Sequence, residues 1–393
     1  MRTVSRVVCV MGVLIGISGS AGAQEPPLIA LTSMPPDHGF IGKKDQPAKD
    51  VSGMACMPQA GGKRICLIIN DQNRNAQFAS IENGQLRVGQ PIKLFGKEPP
   101  VKTVGREPAV RCENDSDFAD LDGEGVAYAE PYFYVVGSHG CSRKKNELHL
   151  SSFLLARVRV DREGRPVDRH GEPVTVDQPK KAIETTWRVS DLLRRADRAG
   201  DFFGKPLKDQ DGLNIEGIAV SGDTVWFGLR APVDKGDAFL IRGSATDLFG
   251  DDGDPATAFY DTVPIKLDGR GIRDLAMLPD GRLLVLAGPP QEEDLSFRLN
   301  VADTDTRTAR PVGTLPEIER VIGGEKVRGK AEVVTVLGTT PDGVSIVVMF
   351  DSLLNGEPHR AEVTIPKGTP ERNAHAQAWI SVADARARHG EPS

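Results

Sequence analysis

Glu124-Gly125-Val126-Ala127 returns as Glu216-Gly217-Ile218-Ala219 and as Asp274-Leu275-Ala276, with looser copies at Ser52-Gly53-Met54-Ala55 and Glu332-Val333-Val334. Each copy opens an apolar run, and a turn then leads into a second one, as in Tyr132–Gly137, Val225–Arg230 and Leu283–Gly288. A polar residue, a small or turn residue and a strand opening, repeated along a chain, point to a β-propeller, whose sheet-like blades bury their faces only against neighbouring blades. The expected fold class is all-β, a single β-propeller. The intervals along Gly53, Gly125, Gly217, Asp274 and Glu332 are 72, 92, 57 and 58 residues, against about 40–50 for a typical blade. The widest interval is therefore expected to hide a further blade, and six or seven blades fit the length.

Alternating apolar segments bounded by turn residues predict strands at Gly53–Met57, Arg64–Asn70, Ala76–Ile81, Leu86–Leu94 and Phe153–Val160. One stretch breaks this rhythm. Ser190 is placed to cap a short helix through Leu192, Leu193 and Ala196 that ends near Gly200, a helical insertion near 190–200. Residues 24–47, polar and proline-rich, form an N-terminal extension; the propeller spans 48–382, with Trp379–Val382 as a candidate last strand, and 383–393 is a polar tail.

The start of the chain sets the expected compartment. Arg2 and Arg6 precede an apolar stretch from Val7 to about Ile17, and Ala21-Gly22-Ala23 is an A-x-A cleavage pattern. Residues 1–23 thus read as a signal peptide cleaved after Ala23, which predicts a periplasmic or secreted protein. Its apolar core is too short to span a bilayer. Without this segment the formal charge goes from −6 to −8, which argues against a coat for nucleic acid or anionic membranes.

Four cysteines remain: Cys56, Cys66, Cys112 and Cys141. An even number in an oxidising compartment predicts disulfides. Three pairings can be drawn, and local geometry favours one. Cys56 and Cys66 flank Ala60-Gly61-Gly62, so a hairpin places them directly opposite each other. Cys112 then pairs with Cys141 and staples the acidic loop before Glu124 to the loop after His139. No C-x-x-C pair suggests zinc.

Gly137-Ser138-His139, Gly212–Gly217, Gly228-Leu229-Arg230-Ala231-Pro232, Gly271–Ala276 and Leu286-Ala287-Gly288-Pro289 occur in this order. The series resembles the bacterial family called domain of unknown function 3616, over about residues 48–365. That resemblance implies a propeller and no settled activity. The Asn-x-Glu-Gly and Glu-Gly phrases are also similar to exported propellers described as esterase-like or phytase-like.

In a propeller the innermost strands line a central channel, so equivalent residues at their starts converge at one mouth. The residues expected there are Glu124, Asn214, Glu216, Asp274 and Glu332, an oxygen set suited to Ca²⁺. Arg230, Arg273 and Lys330 would bind an anionic substrate, and His139 is the candidate general base. The acid-rich stretch of Asp115, Asp117, Asp120 and Asp122 is a solvated loop or a second source of oxygens for the same mouth. The bland alternative is that these acids pair with arginines of adjacent blades and tie the ring closed. Three functions follow. One is a propeller that binds a small anionic ligand or an envelope protein partner; another is a Ca²⁺-dependent hydrolase of esters or phosphoesters; the third is a structural or assembly factor of the cell envelope.

Overall fold

A computed structural model describes residues 25–368, apart from 44–45, 111, 113, 116–117, 119, 144, 176–177 and 251–257. The expected leader, the strand at 379–382 and the polar tail lie outside the described residues, as do Asp117 and the side chain of Asp115. Five four-stranded antiparallel sheets follow one another along the chain. Blade 1 is Val51–Pro58, Arg64–Asn70, Asn75–Glu82 and Gln85–Lys93; blade 2 is Gly123–Ala129, Tyr132–Gly137, Leu155–Arg159 and Ile183–Thr186. Blade 3 is Asn214–Ser221, Thr224–Ala231, Asp237–Ser244 and Tyr260–Lys266, and blade 4 is Gly271–Met277, Leu283–Gly288, Arg298–Asp303 and Thr308–Thr314. Blade 5 takes Lys330–Thr340, Gly343–Asp351 and His359–Thr364, and its outermost strand is Thr32–Ser33 from the other end of the chain.

Every first strand touches the first strands of the blades on either side, and blade 5 meets blade 1, so the ring is closed. The expected six or seven blades are corrected to five. Among the described residues the 92-residue interval holds no hidden blade; long connections at 138–154, 160–182 and 187–213 account for its length. The N-terminal extension is a strap. Ile29 N donates to Thr314 O of blade 4 at 2.8 Å, and Thr32 and Ser33 pair with Arg360 and His359 of blade 5.

Alternation along each strand builds the interior. In blade 2, Val126, Phe133 and Val135 face blade 1, packing with Leu67, Ile69 and Ile92. Their neighbours Ala127, Tyr134 and Val136 face blade 3, packing with Ile215, Ile218 and Phe227. The same period of two places one apolar cluster at each of the other three blade interfaces. The helical insertion is present as Val189–Arg195, but Arg188 holds the N-cap position and Ser190 lies buried within the first turn, its hydroxyl without a partner among the described residues. Both expected disulfides form, Cys56 directly opposite Cys66 across the first hairpin and Cys112 with Cys141.

The repeated phrase has a structural cause. Each first strand carries a β-bulge near its start, where one residue is passed over by the ladder: Ser52, Glu124, Glu216, Arg273 and Glu332 in blades 1 to 5. A bulge re-aims its extra side chain, and here it gives one such side chain per blade. The residue after the bulge is glycine in three blades because adjacent first strands come close. A Cβ on Gly125 would stand 3.0 Å from the Ile218 side chain, and one on Gly217 would stand 3.0 Å from Leu275 N.

Candidate functional site

Blade 4 shifts the phrase by one residue. Its bulge residue is Arg273, so Asp274 occupies the glycine position rather than the acid position. Asp274 is buried; its Oδ1 accepts from Leu275 N at 2.8 Å and its Oδ2 from Val334 N of blade 5 at 2.7 Å. Oδ2 joins blade 4 to blade 5, and Oδ1 bonds within blade 4. Arg273 in turn stands between two acids. Its Nε lies 2.9 Å from Glu216 Oε2, and its Nη2 donates to Glu332 Oε1. Arg230, passed over in the strand facing Glu216, donates from Nη1 to Glu216 Oε1 at 2.6 Å and from Nε to Pro290 O at 2.8 Å. Arg273 and Glu216 are 2% and 3% exposed. Blades 3, 4 and 5 are thus joined by two arginines and two glutamates whose charges cancel.

The opposite side of the mouth is acidic. The strand ends and connections of blades 5, 1 and 2 bring together Asp50, Asp71, Asp122, Glu124 and Asp351. Among the described residues none has a lysine or arginine within salt-bridge distance. Asp122 accepts from Ser138 Oγ at 2.5 Å. Asp50 lies within hydrogen-bonding reach of Asp351, and Asp71 Oδ1 is buried without a partner. Burial and then the neighbouring carboxylates Asp122, Asp50 and Asp351 push Asp71 up to about 9. Burial, followed by the charges of Glu216 and Asp122, holds Glu124 well above the usual carboxylate range. For Glu332, burial and Asp351 act upward against Arg273 and Lys330.

These shifts have a stability consequence. Between the ordinary aspartate range and about pH 9 the folded chain holds a proton on Asp71 that the unfolded chain has released. Stability therefore falls as pH rises through that window, by up to about 1.4 kcal/mol per pH unit for each such proton. The melting temperature is expected to be several degrees higher near about pH 5.5 than near about pH 8.5, and Asp71→Asn is expected to flatten that slope. Calorimetry across the range checks this, and a melting temperature that climbs with pH would contradict it.

The remaining expected residues divide. Lys330 is exposed at the mouth beside Asp351, its partner in the strand pair. Asn214 is buried at the start of the first strand of blade 3, its Oδ1 unpartnered. His139 is 0% exposed; its Nδ1 lies 2.9 Å from Gly137 O, its ring packs edge-on against Phe153, and burial lowers its pKa to about 4. A neutral, enclosed imidazole cannot reach a substrate in the channel. Among the described residues no group of three or more His, Cys, Asp or Glu is arranged to hold a metal ion. Of the oxygen set expected for Ca²⁺, Glu216 and Glu332 are engaged by Arg230 and Arg273, and Asp274 by two backbone amides. Asp71 and Asp351 were not legible as site residues, since one follows and the other ends a second strand, away from the phrase; Asp50 carried a signal, two residues before Ser52. Asp122 had a signal, its place two residues before Glu124.

The family model described as "Protein of unknown function (DUF3616)" matches residues 107–364. Among curated proteins none matches the chain. Among solved structures the chain is similar to a protein from Lactobacillus plantarum, at 11% identity and a TM-score of 0.33, over 81% of this chain and 74% of that one. It is similar also to the Dos1 propeller, at 10% identity and a TM-score of 0.32, over 85% and 63%. A luciferin-regenerating enzyme matches at 13% identity and a TM-score of 0.30, over 82% and 81%. At these scores none of the three bears on the chemistry of the mouth.

Proposed function

We propose, for a chain that belongs to the DUF3616 family of proteins of unknown function, that it is an exported binding propeller whose channel mouth takes a small organic cation bearing primary ammonium groups. One observation carries the reading: Arg230 and Arg273 are held by Glu216 and Glu332, while five further acids beside them lack a bonded countercharge among the described residues. An anionic ligand would have to take those arginines from buried partners, which is costly. An ammonium group would supply three donors and a positive charge to carboxyls now raised by burial and mutual repulsion. Acceptors spread around a mouth suit several ammonium groups spaced along a flexible ligand better than one convergent ion. The long connections 94–122, 138–154, 187–213 and 315–329 all open on this end of the ring, where loops commonly carry recognition.

Isothermal titration of the protein with spermidine tests the reading. Binding is expected, weakening steeply with salt, and Glu124→Gln is expected to weaken it about tenfold through loss of one charge-assisted contact. Heat with Ca²⁺ but none with amines would overturn the organic-cation reading and return the mouth to metal chemistry.

A further inference from the structure

The residue two positions before each bulge lies nearer the open end of the ring and forms an outer tier of the mouth. In blades 1 to 5 this residue is Asp50, Asp122, Asn214, Gly271 and Lys330. The second strand of each blade sets one residue opposite it. Asp71 N donates to Asp50 O at 3.2 Å and Ser138 N to Asp122 O at 3.0 Å, while Asp351 pairs directly with Lys330. The tier is therefore lopsided, with acids on blades 1 and 2, an amide and a glycine on blades 3 and 4, and a lysine on blade 5. Two residues further in, Arg273 joins Glu216 to Glu332, so the arginines below this tier are already engaged. Lys330 is not. It is exposed, and among the described residues no acid lies within salt-bridge distance of it. Its ladder partner faces elsewhere: Asp351 Oδ1 accepts from Ser352 N at 2.6 Å and Oδ2 from Ser352 Oγ at 3.1 Å.

We infer that the ligand of the mouth carries a carboxylate as well as ammonium groups, as a basic amino acid does, and that Lys330 receives the carboxylate while the acids of blades 1 and 2 take the ammonium end. The inference rests on the organic-cation reading above. A plain diamine lying across blades 5, 1 and 2 sets one of its charges against the like charge of Lys330. A carboxylate at that end turns the repulsion into attraction, and the strongly hydrated, flexible ammonium of a lysine can follow it without a fixed geometry. Lys330 would therefore choose within the class of amines and fix which way round the ligand lies.

Ornithine and putrescine test this as a matched pair, since they differ by one carboxylate on the same chain. Isothermal titration of the wild type is expected to find ornithine the tighter by about threefold, the ratio an exposed ion pair supplies. Lys330→Gln is expected to abolish that preference, and Lys330→Arg, which restores the charge, to keep it. No preference for ornithine in the wild type, or a preference that survives Lys330→Gln, overturns the inference; a mouth that still binds spermidine then leaves the cation reading standing. If the wild type binds none of the three amines, the cation reading fails and the inference falls with it.

Discussion

Replacing Glu216 by alanine is expected to destabilise the folded chain by about 3–5 kcal/mol, the range for removing one partner of a buried ion pair. The magnitude comes from what stays behind. Arg230 and Arg273 are 7% and 2% exposed, and a guanidinium cannot shed its proton to escape burial. Arg273 would retain Glu332, but Arg230 would keep only its bond to Pro290 O. The reverse deletion is gentler. Arg273→Met leaves Glu216 and Glu332, and carboxylates stranded in a buried site can take up protons. Urea unfolding near neutral pH should therefore rank Glu216→Ala as the more damaging change, with the loss in Arg273→Met growing as pH rises. A reversed order would mean that the two arginines are not held by Glu216.

The second large effect is expected at Asp274. Alanine there would strip acceptors from the amides of Leu275 and Val334, both buried. An unsatisfied buried donor costs about 1–3 kcal/mol, so a total loss of about 2–5 kcal/mol follows. Asp274→Asn keeps one acceptor and should fall between. Hydrogen exchange at Val334 gives a local readout, since its amide loses its bond across the blade 4–blade 5 interface. Denaturation that shifts by less than about 0.5 kcal/mol, with Val334 still protected, would show that the carboxyl does not staple the blades.

Much of this fold was legible in the sequence because a bulge followed by glycine is a local device. Glu124-Gly125 and Glu216-Gly217 announce both the strand start and the close approach of the next blade. The blade count was not legible, because the intervals between phrases measure insertions as well as strands. Residues 138–154 and 160–182 lengthen blade 2 without adding a sheet to the ring. At Arg273-Asp274 two charged residues stand where a glutamate and a glycine stand elsewhere, and nothing local says which is the bulge. The phase is decided by the partner strand, where Ile272 pairs with Ala287 and Asp274 with Leu286. The acidic half of the mouth was less legible still. Asp50 and Asp71 adjoin within blade 1, but Asp71 meets Asp122, and Asp50 meets Asp351, only when blades 1, 2 and 5 come together, which is a property of the ring rather than of any segment. The reading of acids tied to arginines across blades describes Glu216, Arg273 and Glu332 well, and it fails for Glu124.

Thr32 pairs with Arg360, 328 positions further along. A chain synthesised from its N-terminus exposes this strap long before blade 5 exists to receive it. Non-local pairing of this kind is slow to form, so the ring should close as a late step, after the individual blades have paired their own hairpins. Until that step Asp50 and Asp351, on the first and last blades, have no reason to be neighbours. The contact between Asp50 and Asp351 therefore arrives with the final seam, while the acids of blades 1 and 2 are brought together earlier.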